Sequence, residues 1–152
     1  MKSYFKKIYR YNHWANSKLF LHLKTLEHEL PEINKRLSHI VAAEEIWYNR
    51  IKPLDFHPLP LFVIQPKEIL EPRLHASAQR WLELVEQTKD FELQVDYQNL
   101  AGQPFKNSLS DIMIHVVNHG THHRGQIATL LRQQSYEPVP VDYIVFSREQ
   151  GA

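Results

Sequence analysis

The stretch Ser110–Arg132, SDIMIHVVNHGTHHRGQIATLLR, places four histidines, His115, His119, His122 and His123, within nine residues of a segment whose apolar residues recur with helical spacing. Stepped at about 100° per residue, Ile112, Met113, Val116, Ile127, Leu130 and Leu131 gather on one broad face. His119 and His123 fall inside that face, so the spacing predicts that both are driven into the core. His115 and His122 land at its edge, and Asn118, Thr121, Gly125 and Thr129 lie on the other side. An i, i+4 pair sits one turn apart on one face, which lets two imidazoles reach a single metal ion. Two buried imidazoles each need partners for their polar nitrogens, and a shared cation satisfies both. The residues between the pair are Gly120, Thr121 and His122. No HExxH motif is present, and the zincin mechanism, whose base is that glutamate, is not supported.

The remaining pattern supplies the scaffold for such a helix. With 152 residues, 43% of them hydrophobic, the chain suits one domain spanning 1–152 with a proper core. Tyr4 to about Thr25, with Phe5, Ile8, Tyr9, Asn12, Ala15, Leu19 and Leu23 at helical spacing, opens a first helix expected over 3–28. Pro31 suits the first turn of a second helix over 31–52, on which His39, Ala43, Ile46 and Trp47 share a face. The segment Pro53–Pro66 holds four prolines and cannot be regular helix. A third helix is expected over 67–90, its apolar face built from Ile69, Leu74, Ala78, Trp81, Leu82 and Val85, with Pro72 obscuring its start. Alternation around Asn99–Gly102 predicts a small hairpin or extended loop. Ser108 and Asp111 form a capping pair for the fourth helix, over 108–134. The tail from Ser135 is read as extended at first and packed back on the helices. The expected fold class is therefore all-α, a four-helix bundle.

Bundles build sites from side chains on facing helices. His39 from the second helix can thus meet His119 and His123 from the fourth, giving three neutral imidazoles with a position left open for water or substrate. Imidazole donors suit zinc, nickel, copper and iron(II) without choosing among them. No cysteine is present, which rules out disulfides, a protein thiolate nucleophile and thiolate ligands. The 18 Lys and Arg against 17 Asp and Glu, with no long basic run, leave no stripe for nucleic acid. No apolar run approaches a membrane span and no signal-like N-terminus is seen, so the expectation is a cytoplasmic protein without membrane partners. His13, His22, His28, His57 and His75 are read as surface or loop residues, with His13 singled out for its place in the aromatic YNHWAN. Glu44 and Glu45 could orient the ligands from outside or act as acid-base groups, but as helical carboxylates they are read as solvated and kept out of the site. No catalytic group is identified, and GxSxG, P-loop and GxGxxG motifs are absent.

These motifs also resemble the DinB family, within the DinB/YfiT-like metalloenzyme superfamily. The resemblance is carried by YNHWAN (11–16), LSHIVAAEEIWYNR (37–50), HVVNHGTHHRGQIATLLR (115–132) and the ending PVDYIVFSRE (140–149). It implies a bundle of up-down-down-up order and a homodimer. It also implies one divalent metal ion on His39, His119 and His123, zinc or nickel first, with iron or manganese as alternatives. It does not imply DNA repair. Relatives in the superfamily include S-transferases that use bacillithiol or mycothiol, and a mycothiol-dependent maleylpyruvate isomerase. The expected partner is thus a small-molecule substrate, a low-molecular-weight thiol among the candidates. Metal-dependent hydrolysis and non-catalytic metal binding are the alternatives.

Overall fold

The structure, a computed structural model, describes residues 1–26, 28 and 30–149. Among them are five helices, α1 (Lys2–Lys24), α2 (Pro31–Ile51), α3 (Lys67–Gln87), α4 (Leu109–Gln133) and the short α5 (Tyr143–Glu149), with one hairpin, β1 (Gln94–Gln98) and β2 (Pro104–Ser108). The all-α bundle expected from the periodicity is what forms. Helices α1 and α2 each pack against both α3 and α4. No described helix is long and apolar enough to cross a membrane.

Local chemistry explains most boundaries. Pro31 opens α2, and Pro66 stands at the N-cap of α3. Ser108 caps α4 by accepting from the Asp111 N–H at 3.1 Å, as the sequence pair predicts. The strands pair antiparallel from Gln94↔Ser108 to Gln98↔Pro104. Their turn is closed by Asn99, whose Oδ1 accepts from Ala101 N–H at 2.9 Å and Gln103 N–H at 3.0 Å, with Gly102 at φ 77°.

Three expectations need correction. α1 ends at Lys24 rather than 28, because Thr25 turns its N–H and Oγ1 onto the His22 carbonyl; Glu27 lies outside the described residues. α3 ends at Gln87 rather than 90 for the same reason, with Thr88 closing on Leu84 O. Its apolar face is turned so that Leu70 is buried and Ile69 exposed. The tail runs without helix over 136–142 and packs back on the bundle, as expected, but its end forms the unforeseen α5, where Phe146 packs on Tyr11 and Trp14, and Glu149 accepts from Trp14 Nε1 and Lys18 Nζ, each at 2.9 Å.

The core has two apolar clusters, one around Phe5, Tyr9, Trp81, Phe91 and Met113, the other around Leu19, Leu37, Ile40, Leu74, Ile127 and Leu131. Along each of the four long helices a polar residue falls between the segments that feed the two clusters. Asn12 and Asn16 of α1 donate to Glu44 Oε1 at 2.8 and 2.9 Å, and Ser77 of α3 donates to Glu44 Oε2 at 2.7 Å. Arg124 of α4 donates through Nη1 to the carboxamide oxygens of the same two asparagines at 2.9 and 2.6 Å. The charges of Arg124 and Glu44 are thereby joined through two amides. Glu44 is 4% and Arg124 2% exposed, so the expectation of a solvated Glu44 is overturned. Burial raises the Glu44 pKa, against the lowering effect of its hydrogen bonds and of Arg124.

Gly120 makes room for this layer, since a Cβ there would stand 3.0 Å from both Arg124 Nη1 and Asn12 Oδ1, whereas at Gly125 it would meet nothing within 4 Å. Gly125→Ala is therefore expected to stabilise the protein by about 0.5–1 kcal/mol through helix propensity. Gly120→Ala is expected to destabilise it by about 1 kcal/mol, because overpacking outweighs that gain. Urea midpoints of the two variants check the pair; equal shifts would contradict the crowding at Gly120.

Candidate metal centre

His39 sits in the middle of α2 and reaches toward α4, where His119 and His123 stand one turn apart. His39 Nε2 lies 3.2 Å from His119 Nε2, and His123 Nε2 lies 3.1 Å from the same atom. The three form the metal-capable group found among the described residues. All three are half-buried rather than sunk in the core as the sequence spacing suggested. The helix is turned so that Val117, Gly120 and Arg124 occupy the buried face, and the two histidines flank it on the side of α2.

The distal ring atoms decide what the cluster can do. His39 Nδ1 is 2.9 Å from the Leu61 carbonyl, which can only accept, so its proton sits on Nδ1 and Nε2 carries a lone pair. His123 Nδ1 is 2.9 Å from Gln126 Oε1. That amide is oriented by Arg36, which only donates and reaches the same oxygen at 3.2 Å. His123 too presents a bare Nε2. Two lone pairs thus point at the single Nε2 of His119, which has one proton at most to offer when neutral. A cation satisfies all three. Tetrahedral zinc with ligands at about 2.0–2.1 Å would set nitrogens about 3.3–3.4 Å apart, close to the separations found. The donor set fits a divalent metal ion.

Electrostatics agree. Burial, followed by repulsion from His123, His39, His115 and His122, pushes the His119 pKa down to about 3 from 6.5. His123 is lowered by burial against the raising effect of Gln126, and His115 by burial and Arg50. Ligand imidazoles must be neutral, so His119 is held ready at neutral pH. In the unfolded chain its proton is taken up near 6.5. Stability contributed by His119 is therefore full above that pH and lost as pH falls toward about 3. The urea midpoint of the metal-free protein is expected to fall from pH 7 to pH 4, and to fall less in His119→Gln; parallel curves would contradict this.

Around the triad, the His39 ring stacks on Phe62 at 5.1 Å and 16°. Trp47 packs edge-on against His115 at 4.9 Å and carries the Arg50 guanidinium 4.2 Å from its ring centroid. A cavity of about 230 Å³ opens beside His39 and His123, lined also by Glu32, Lys35, Arg36 and Phe62. His115 and His122 are exposed at the rim, as the wheel predicts, and His122 Nε2 accepts from Gln126 Nε2 at 2.9 Å.

Over the whole chain, the sequence model of the DinB family matches residues 1–151. The chain belongs to the DinB family. It is 29% identical over 160 residues to Protein DinB of Bacillus subtilis (strain 168), an alignment covering 94% of this chain and 93% of that one. All four segments quoted for the DinB resemblance have visible structural work, PVDYIVFSRE by forming α5. YNHWAN supplies Asn12 and Asn16 to the polar layer and Tyr11 and Trp14 to the seat of α5, and its His13 is half-buried 5.4 Å from His75, away from the triad. LSHIVAAEEIWYNR supplies His39, Glu44 and Glu45, and HVVNHGTHHRGQIATLLR supplies His119, His123, Arg124 and Gln126. Glu45, also read as solvated, is 1% exposed, because Arg73 of α3 grips it. Sequence reasoning missed Leu61, Arg36 and Gln126. For Gln126 a signal existed, its place three and four residues after His123 and His122.

Proposed function

We propose that this DinB-family chain is a metalloenzyme that holds one divalent cation, zinc or nickel, on Nε2 of His39, His119 and His123 and transfers a low-molecular-weight thiol to an electrophile. The observation that carries the metal is the pair of ring hydrogen bonds, Leu61 O to His39 and Gln126 Oε1 to His123, which turn two lone pairs onto the third imidazole. A divalent cation held there supplies Lewis acidity and ionises a coordinating thiol. The chain's own residues do the rest. Three neutral histidines leave the ligand set one short of a closed structural site. Phe62 stacks on His39 and lines the adjoining cavity with aromatic surface, and Lys35 and Arg36 give that cavity a cationic side. The thiol part rests on the family resemblance and on the lack of a cysteine to do this chemistry. Metal-assisted hydrolysis is the second reading, favoured by Glu32, the carboxylate lining the same cavity.

Protein purified without nickel resin, analysed for bound metal and then assayed with a small thiol and chlorodinitrobenzene, tests this. Metal-dependent turnover that His119→Ala removes supports transfer. Ester hydrolysis without thiol would replace it by the second reading, and inactivity in both assays would leave metal binding alone. The homodimer of the resemblance belongs to the same proposal, and light scattering at the monomer mass at all concentrations would remove it.

A further inference from the structure

The connection between α2 and α3 carries the carbonyl that orients His39, and side chains of the bundle hold its backbone. Asn49 Oδ1 accepts from Leu54 N–H at 2.8 Å, Glu45 Oε2 from Leu59 N–H at 3.0 Å, and Ser38 Oγ from Gln65 N–H at 3.0 Å. The central hold is the strongest. Arg73 clasps Glu45 in a two-point pair, Nε to Oε1 at 2.7 Å and Nη2 to Oε2 at 2.6 Å, while its Nη2 also donates to His57 O at 3.0 Å. Phe56 lies against the Arg73 and Arg80 guanidinium groups at 4.4 and 5.0 Å.

Beyond Leu59 the chain reads Leu59-Pro60-Leu61-Phe62. Proline locks its own φ and restricts the residue before it to extended backbone. Leu59 lies between Pro58 and Pro60, so a stiff link joins the N–H that Glu45 holds to the Leu61 carbonyl that His39 meets at 2.9 Å. We infer that the Glu45–Arg73 pair is a positioning device for His39, setting through Leu59-Pro60-Leu61 the tautomer and orientation of an imidazole it does not touch. The inference rests on the metal reading above for its consequence, but its first readout needs no metal.

The experiment records ¹⁵N spectra of the His39 imidazole in the metal-free protein, then titrates zinc, for wild type, Glu45→Gln, Arg73→Lys and Pro60→Gly. Pro60→Gly leaves the Glu45–Arg73 pair intact and loosens only the link, so it serves where a charge variant fails to fold. Phe5→Leu, in the other apolar cluster, serves as a control for general destabilisation. Wild-type His39 is expected to be the Nδ1–H tautomer. The three loop variants should shift it toward Nε2–H and weaken zinc about 10–100-fold, the usual loss when a ligand's outer partner is disturbed. Phe5→Leu should lower the melting temperature and change neither readout. Folded loop variants with the wild-type tautomer and zinc affinity would overturn the inference, as would a control that shifts both readouts equally. A wild type with Nδ1–H His39 that takes up no zinc would sink the metal reading while leaving the positioning of His39 to be decided by the tautomer in the variants.

Discussion

Alanine at His119 is expected to weaken zinc binding by about a thousandfold or more, and alanine at His39 or His123 by a similar order, since each removes one of three ligands. The comparison that gives the figure meaning is with groups further out, whose loss costs typically about 10–100-fold. His122→Ala belongs there, because His122 meets only the amide of Gln126, which in turn holds His123. His115→Ala should do least, since the ring rests on Trp47 with its centroid 5.8 Å from that of His119. Calorimetric titration of the five variants gives the ranking. Binding lost in His115→Ala but intact in His119→Ala would mean that the wrong side of α4 has been assigned.

Glu44→Leu is expected to cost about 3–5 kcal/mol, because it leaves Arg124 buried with no counter-charge. For a chain of this size that corresponds to a melting temperature lower by roughly 6–20 °C. Arg124→Met should cost a similar amount by leaving the carboxylate alone. The double variant should be less destabilised than the sum of the two, since residues sharing one hydrogen-bonded network do not act additively. Urea denaturation of the four proteins completes the cycle; an additive result would show that the two charges do not feel one another through Asn12 and Asn16.

How much of this the sequence disclosed depends on how local each determinant is. Helix periods, the Ser108 cap and the turn at Asn99–Gly102 are written in neighbouring residues, and they were readable. So was the meeting of His39 with His119 and His123, because facing helices leave few other places for inward imidazoles. Glu44 and Glu45 were misjudged because what buries them comes from elsewhere, Asn12 from 32 positions before and Arg73 from 28 positions after. A signal was present in Ile40-Val41-Ala42-Ala43 before them and Ile46-Trp47 after, a segment apolar all round and hence enclosed. Arg124 was lost the same way, by counting only apolar residues on the α4 wheel, which set its rotation slightly wrong. α5 was missed because Tyr143-Ile144-Val145-Phe146 has strand-like composition, and packing on Tyr11 and Trp14 overrode that preference.

Two of the three imidazoles lie 4 residues apart on one helix, while the third is 80 positions away in the chain. Once α4 is wound, His119 and His123 already form a chelating pair, and only His39 has to be brought in across a long closed loop, whose entropic cost grows slowly with length. If the triad holds a metal as proposed, an ion would be able to engage this chain before the bundle is complete. Partial affinity for incompletely folded chain would subtract from the stabilisation that such a metal gives the finished fold. The same affinity would make the ion a nucleus around which α2 docks on α4, so its clearest effect is expected in the rate of folding.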